Sequence, residues 1–242
     1  MNKTLSDFSV LTFDCYGTLI DWETGIWDAL QPLLKTSDEN LRRTHVLAEY
    51  AQVEHDVEAK NGRSLYGDVL ALVHEELARR LGLRSTTSLA ERFAGSINSW
   101  PAFRDSATAL RELKERYKLV ILSNVHNLGI AASIEKLGVD FDAVYTAEDI
   151  GSYKPTDENF RYLLEALQRD FGFVKTDVLH TAQSLFHDHV PANRFAIANA
   201  WIDRQRLSEG GTWGATAPVA EMPTVDFRFF SLAEMAEATR SS

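Results

Sequence analysis

From Pro101 to Ile202 the chain alternates short apolar runs with amphipathic stretches, and no other feature restricts its fold as strongly. Residues 118–124, 143–146, 177–182 and 196–202 are short runs of mainly apolar side chains that read as strands. Residues 106–117, 130–137 and 158–171 carry apolar side chains at helical spacing, and Gly138 closes the second of these. Strand then helix, repeated, predicts a doubly wound parallel α/β sheet. One further strand lies near the N-terminus, with Val10, Leu11 and Phe13 in the core and Asp14 at its tip. Gly17 supplies the tight turn that ends it. Residues 206–224, rich in Gly and Pro, read as a surface loop, and 232–239 as a last helix.

Between the first strand and Pro101 the pattern is helical throughout, with segments over 22–34, 41–59, 65–81 and 88–98. About eighty helical residues are too many for an ordinary crossover and predict an inserted all-helical cap over 21–100, on a core of 1–20 and 101–242. With 45% hydrophobic residues, the chain can fill such a core. A formal net charge of −10 argues against nucleic acid and anionic membrane surfaces as partners. The single cysteine, Cys15, excludes an internal disulfide and fits a reducing compartment. With no signal peptide or membrane span visible, a cytoplasmic protein is the expectation.

Four strand ends carry polar residues: Asp14 with Tyr16 and Thr18, then Ser123 with Asn124, then Lys154, then Gln183 and Ser184 through His187 and Asp188. In a parallel sheet the carboxyl ends of the strands open onto one edge, so these groups are expected to share a pocket. Two acids, an amine, hydroxyls and an amide suit nucleophilic catalysis. Taken singly, each could equally cap a turn or sit in the core. Cys15 alternates away from Asp14 and reads as a buried structural residue. His187 and His189, two apart on a helix, do not converge on a metal.

In order and spacing these stretches resemble the haloacid dehalogenase superfamily. Asp14-Cys15-Tyr16-Gly17-Thr18-Leu19 is similar to its first motif, Ser123-Asn124 to its second, Lys154-Pro155 to its third and Ser184 to Asp188 to its fourth. The magnesium-dependent phosphatases of that superfamily carry a second aspartate where this chain has Tyr16, and an acid where it has Gln183. Losing two anionic ligands weakens a magnesium site, because Mg²⁺ wants oxygen donors. The Asp-x-Tyr-Gly-Thr form is instead similar to the L-2-haloacid dehalogenase branch, which implies no metal and no cofactor. The resemblance implies Asp14 as nucleophile on a small anionic substrate, a 2-halocarboxylate. Lys154 would offset charge and Asp188 would handle the hydrolytic water, with Ser184 in support. Thr18 would hold Asp14, Ser123 and Asn124 would bind the substrate carboxylate, and Tyr16 would be a wall or a donor near the halide.

Where that branch places a halide-cradling cap arginine, this chain has Thr44, flanked by Arg42, Arg43 and His45. A one-residue slip turns a helical side chain by about 100°, so a neighbouring arginine is no automatic substitute. Arg42, Arg43, His45, Gln183 and His187 are accessory candidates. Two alternatives stay open: the same fold and nucleophile acting on another small carboxylate or phosphate ester, and a non-catalytic small-ligand-binding protein. A homodimer is also an open expectation.

Overall fold

The computed structural model describes residues 3–37, 39–61 and 64–240. Six parallel strands form one sheet: β1 (Val10–Phe13), β2 (Lys118–Ser123), β3 (Ala143–Thr146), β4 (Val178–Ala182), β5 (Ala198–Ile202) and β6 (Phe227–Phe229). Their spatial order is β3-β2-β1-β4-β5-β6. The winding reverses between β1 and β4, and an open α/β sheet gathers its ligands in the crevice at such a reversal. Phe13 stands beside Ile121 on one flank and Thr181 on the other, so β1, β2 and β4 end within two residues of one another. All four β1 residues are buried, which fixes this strand as the spine of the core.

The period of two along β2 feeds both faces of the sheet. Leu119 and Ile121 join one apolar cluster with Leu11 and Phe13, while Val120 and Leu122 join the other with Val10. The first face is covered by α5 (Ser106–Lys114), α6 (Asn127–Leu137) and, at the chain's end, Leu232–Ala238, through Leu110, Leu113, Ile130 and Met235. Residues Asp157–Phe171 cover the second through Phe160, Leu163 and Leu167.

Between β1 and α5 lie α1 (Trp22–Leu34), α2 (Arg43–Lys60), α3 (Tyr66–Arg80) and α4 (Thr87–Ala94). They pack on Leu30, Tyr50, Val53, Val69, Leu77 and Phe93. The two strands of chain joining this helical layer to the sheet run side by side. Asp21 N–H donates to the Pro101 carbonyl at 2.8 Å and Phe103 N–H to that of Leu19 at 3.0 Å. Trp100 is wedged there so tightly that a Cβ on Gly25 would come within 2.3 Å of its ring.

Several expected bounds shift. The 88–98 helix ends at Ala94 and tightens into a 3₁₀ turn, Gly95–Ser99. The fifth strand begins at Ala198, because Ala196 turns left-handed (φ 50°) to close the preceding helix. Strand β6 has no counterpart in the sequence reading: three residues with an exposed Arg228 at their centre are too short to show a period. Among the described residues, no helix is long and apolar enough to cross a membrane.

Candidate active site

Asp14 emerges from β1 at the reversal point, and both its oxygens are held. Thr18 Oγ1 donates to Oδ2 at 2.8 Å, and Lys154 Nζ donates to Oδ1 at 2.9 Å. Gln183 N–H in turn donates to Thr18 Oγ1 at 2.9 Å, which couples the turn after β1 to the end of β4. Gly17, at φ 94°, makes this turn possible, and a Cβ there would come within 2.9 Å of Gln183 Oε1. Lys154 spends its other donors on Asp188 Oδ1, at 2.7 Å, and the Leu122 carbonyl, at 3.1 Å. Its side chain is only 1% exposed, as is that of Asp188, so one ammonium bridges two buried carboxylates.

Behind this bridge lies a support that the sequence reading missed. His180 Nε2 sits 2.8 Å from Asp188 Oδ1, and its Nδ1 sits 2.8 Å from Thr12 Oγ1 on the neighbouring strand. Thr12 and His180 are register partners, so strand pairing itself sets this contact. Asp188 reaches the bridge from a single turn of π-helix, Leu185–His189, where a widened backbone re-aims the side chains that follow β4.

A cavity of about 60 Å³ opens over these groups, bordered by Asp14, Tyr16, Ser123, Lys154, Ser184, His187 and Asp188. By volume it holds about four waters or a short acid. Three buried polar atoms of its lining residues have no partner among the described residues: Ser123 Oγ, His187 Nε2 and Asp188 Oδ2. These are places for a ligand or a water. Tyr16 contributes its ring, edge-on to Trp100 at 5.5 Å, while its hydroxyl is taken by Ser133 Oγ at 3.0 Å. Of its two expected roles, the wall is the one this geometry serves.

Other expectations are corrected. Asn124 borders the cavity with most of its amide already committed, because Nδ2 donates to the Lys154 carbonyl at 3.0 Å and Oδ1 accepts from Lys154 N–H at 2.7 Å. It holds the lysine's loop. Ser184 Oγ caps the π turn and lies 3.2 Å from His187 Nδ1, so its hydroxyl meets His187, while its carbonyl accepts from Asp188 N–H at 3.2 Å. The Gln183 side chain borders the cavity but is tied to Gln205 and, at 3.1 Å, to Thr216. Arg42, Arg43 and His45 are exposed at the start of α2, away from the cavity, and Arg43 donates to Thr24 Oγ1 at 3.2 Å.

What α2 turns over the cavity instead is Ala51, Glu54, His55 and Glu58, the i, i+3, i+4, i+7 row of one helix face. Tyr50 and Tyr66 hydroxyls each donate to Glu54 Oε1 at 2.7 Å. Glu58 is 9% exposed, and its carboxyl has no hydrogen-bond partner among the described residues. The spacing of Glu54 and Glu58 puts them on one face of α2, but nothing in the sequence shows that this face turns inward.

The electrostatics follow from burial and the one ammonium. Burial pushes the Glu58 carboxyl well up, reinforced by Glu54, so it favours the protonated, donating form. Burial would lower the Lys154 ammonium, but Asp14 and Asp188 reverse this and hold it above its ordinary value. Burial likewise would raise Asp188, yet Lys154 and then His180 hold it well below the usual carboxylate range. Asp14 is pushed up, by burial first, with Lys154 opposing and Asp188 reinforcing. Burial lowers His187 to about 4 and keeps its ring neutral near pH 7.

The donor set does not fit the magnesium that phosphatases of this fold employ. With Tyr16 turned to Ser133 and Gln183 to Gln205, only Asp14 and Asp188 remain, and each gives Oδ1 to the ammonium between them. Among the described residues, no three His, Cys, Asp or Glu side chains are grouped to hold a metal ion.

Residues 8–180 match the haloacid dehalogenase-like hydrolase family, and the chain belongs to it. Among solved structures, the chain is similar to an L-2-haloacid dehalogenase from Xanthobacter autotrophicus with chloropropionic acid covalently bound. The TM-score is 0.78 at 19% identity, covering 96% of this chain and 98% of that one. A defluorinating L-2-haloacid dehalogenase gives TM-score 0.76 at 18% identity, covering 98% of each chain. The magnesium-bound HAD-hydrolase YfnB from Bacillus subtilis gives 0.75 at 18% identity, covering 96% and 99%. At these identities the likeness shows the fold. Comparison with curated proteins finds no match.

Proposed function

We propose that this hydrolase removes halide from short 2-haloacids through Asp14. The observation that carries this reading is a carboxylate fixed by Thr18 and Lys154 at the floor of a cavity sized for a short acid. An Asp14 oxygen attacks the α-carbon in line, the C–X bond breaks, and halide leaves with its electron pair. Water then adds to the Asp14 carbonyl carbon of the ester, releasing the 2-hydroxy acid, a proton and the original carboxylate. Lys154 offsets the charge of two anions brought together, and holding Asp14 in place supplies the near-attack geometry. The open Asp188 Oδ2 and His187 Nε2 are the acceptors that face the hydrolytic water. Ser123 Oγ and protonated Glu58 are the donors offered to the substrate carboxylate, the latter in place of a cap arginine. None of these steps calls on a metal.

The test is halide release from chloroacetate and L-2-chloropropionate with and without chelator. Release should be indifferent to chelator, and Asp14→Asn should lower it by at least about a thousandfold, since the nucleophile is gone. A single turnover in ¹⁸O water should leave the label in Asp14, read by peptide mass. Absence of halide from every short haloacid would end the substrate assignment. The acids Glu54 and Glu58 favour a second reading, in which another small ester or carboxylate of lower charge is hydrolysed by the same nucleophile. Ester cleavage without halide release, lost in Asp14→Asn, would select it.

A further inference from the structure

Beside the polar cavity lies an apolar groove of about 390 Å³, walled by Ala48, Gln52, Phe186, Trp213 and Pro218. Ala51, His55, Thr216 and Ala217 border both spaces. Three of these four carry small side chains, and the fourth, His55, is an exposed imidazole against Phe186, so the border between groove and cavity is lined mainly by small groups. The groove is formed by α2 on one side and the 213–218 loop on the other, with Phe186 from the π turn at its base. Phe186 is fixed there between His55, at 5.4 Å, and His187, at 5.0 Å, both edge-on.

We infer that this groove is a second subsite, which receives an apolar α-substituent of the substrate, an alkyl chain or an aryl ring, while the reacting carbon lies at Asp14. The size of the two spaces decides the matter. The polar cavity, about 60 Å³, is small beside the groove, so a longer substituent finds its room on the groove side. The side bordered by Ala51 and Ala217 leads onto an apolar surface of the same molecule. Each methylene seated there is worth about 0.8 kcal/mol, or about fourfold in binding. The substrate class is thus a 2-substituted acid with a medium-length apolar side chain, in preference to the haloacetates. The inference rests on Asp14 attack at the α-carbon for its kinetic arm, and a binding arm stands apart from that reading.

The kinetic arm compares chloroacetate, 2-bromopropionate, 2-bromohexanoate and α-bromophenylacetate on the wild-type chain. KM should fall at least tenfold from 2-bromopropionate to 2-bromohexanoate. Ala48→Trp, which fills the groove from the exposed side of α2, should raise KM for 2-bromohexanoate at least tenfold and leave chloroacetate within twofold. Gln52→Trp gives the same readout should the first variant fold poorly. The binding arm titrates acetate, hexanoate and phenylacetate calorimetrically. Hexanoate and phenylacetate should bind at least tenfold tighter than acetate, and the tryptophan variants should erase the difference. Chloroacetate turnover with no gain from chain length would overturn the groove while sparing the dehalogenase reading. Tighter hexanoate binding with no halide released from any haloacid would keep the groove and overturn that reading. Equal binding of all three acids would overturn the groove outright.

Discussion

Lys154 is the residue on which the site's charge balance depends. It answers two buried carboxylates with one ammonium, and a third acid, Glu58, hangs over the same space from α2. A buried acid without a partner folds at lower cost when protonated. Its folded pKa therefore lies above its unfolded value, as burial of Glu58 dictates. The folded state then binds more protons than the unfolded one between those two values, and stability falls as pH rises through that window. Below the unfolded value, near pH 4.5, the contribution is fully present. Glu58→Gln keeps the shape and removes the titration. The variant should gain Tm relative to wild type at pH 8 and gain less or nothing at pH 5, read by thermal unfolding in matched ionic strength. A Tm difference that does not change with pH would mean Glu58 is ionised, or exposed, in the folded protein.

At the scale of elements, the turn after β1 and the face of α2 build the site. Gly17→Ala sets a Cβ at φ 94° and against Gln183 Oε1 and Trp22 Nε1, at 2.9 and 3.0 Å. Gly82 also has positive φ, 66°, but open space around its Cβ position. Gly82→Ala should cost about 1 kcal/mol, the backbone strain alone, and Gly17→Ala at least about 2 kcal/mol with loss of activity. Urea unfolding at constant m-value separates the two, and equal costs would show that the Gly17 turn can relax. The strand tips were legible because a buried parallel strand is a continuous apolar run and its first polar residue marks its end. That rule found Asp14, Ser123 and the polar run after β4. It could not find His180, which lies inside a strand and is buried through its pairing with Thr12. Nor could it tell that Asn124 serves the backbone of Lys154, since an amide at a strand tip has the same sequence signature whether it faces ligand or loop. On α2 the reading failed differently. Arg42 and Arg43 stand beside the expected cap-arginine position, whereas the acids about three to four turns later are the ones the helix aims at the cavity. Helical phase relative to a distant sheet is a tertiary quantity, and spacing within one helix does not contain it.

The whole molecule closes its site from two directions, with the helical insert above and the loop after β5 at the side. One half-buried acid ties these together. Glu23, on α1, accepts from Ala215 N–H at 2.6 Å and from Gln205 Nε2 at 3.0 Å through the same oxygen. Gly214 passes so close that a Cβ would meet this carboxylate at 2.0 Å. Gln205 also reaches Thr216 at 3.1 Å and Gln183 beside Asp14, so the loop is linked to the floor of the cavity as well as to its roof. A loop with few buried apolar contacts owes its order to such bonds, and breaking them lowers its local opening free energy without reaching the sheet. Glu23→Ala should therefore speed amide hydrogen exchange at Ala215 and its neighbours by at least about tenfold, the loss of a hydrogen bond to a charged group. Amides of β1 and β4 should exchange as in wild type, because Val10–Phe13 and Val178–Ala182 are buried and paired independently of the loop. Exchange that rises everywhere would mean global destabilisation, and exchange unchanged at Ala215 would assign the loop's order to Trp213 and Ala217 packing on α2. With the tether cut, the wall that Trp213 and Pro218 give the groove loosens while Asp14 and Lys154 keep their bridge, so affinity for long acids should suffer before turnover of short ones does.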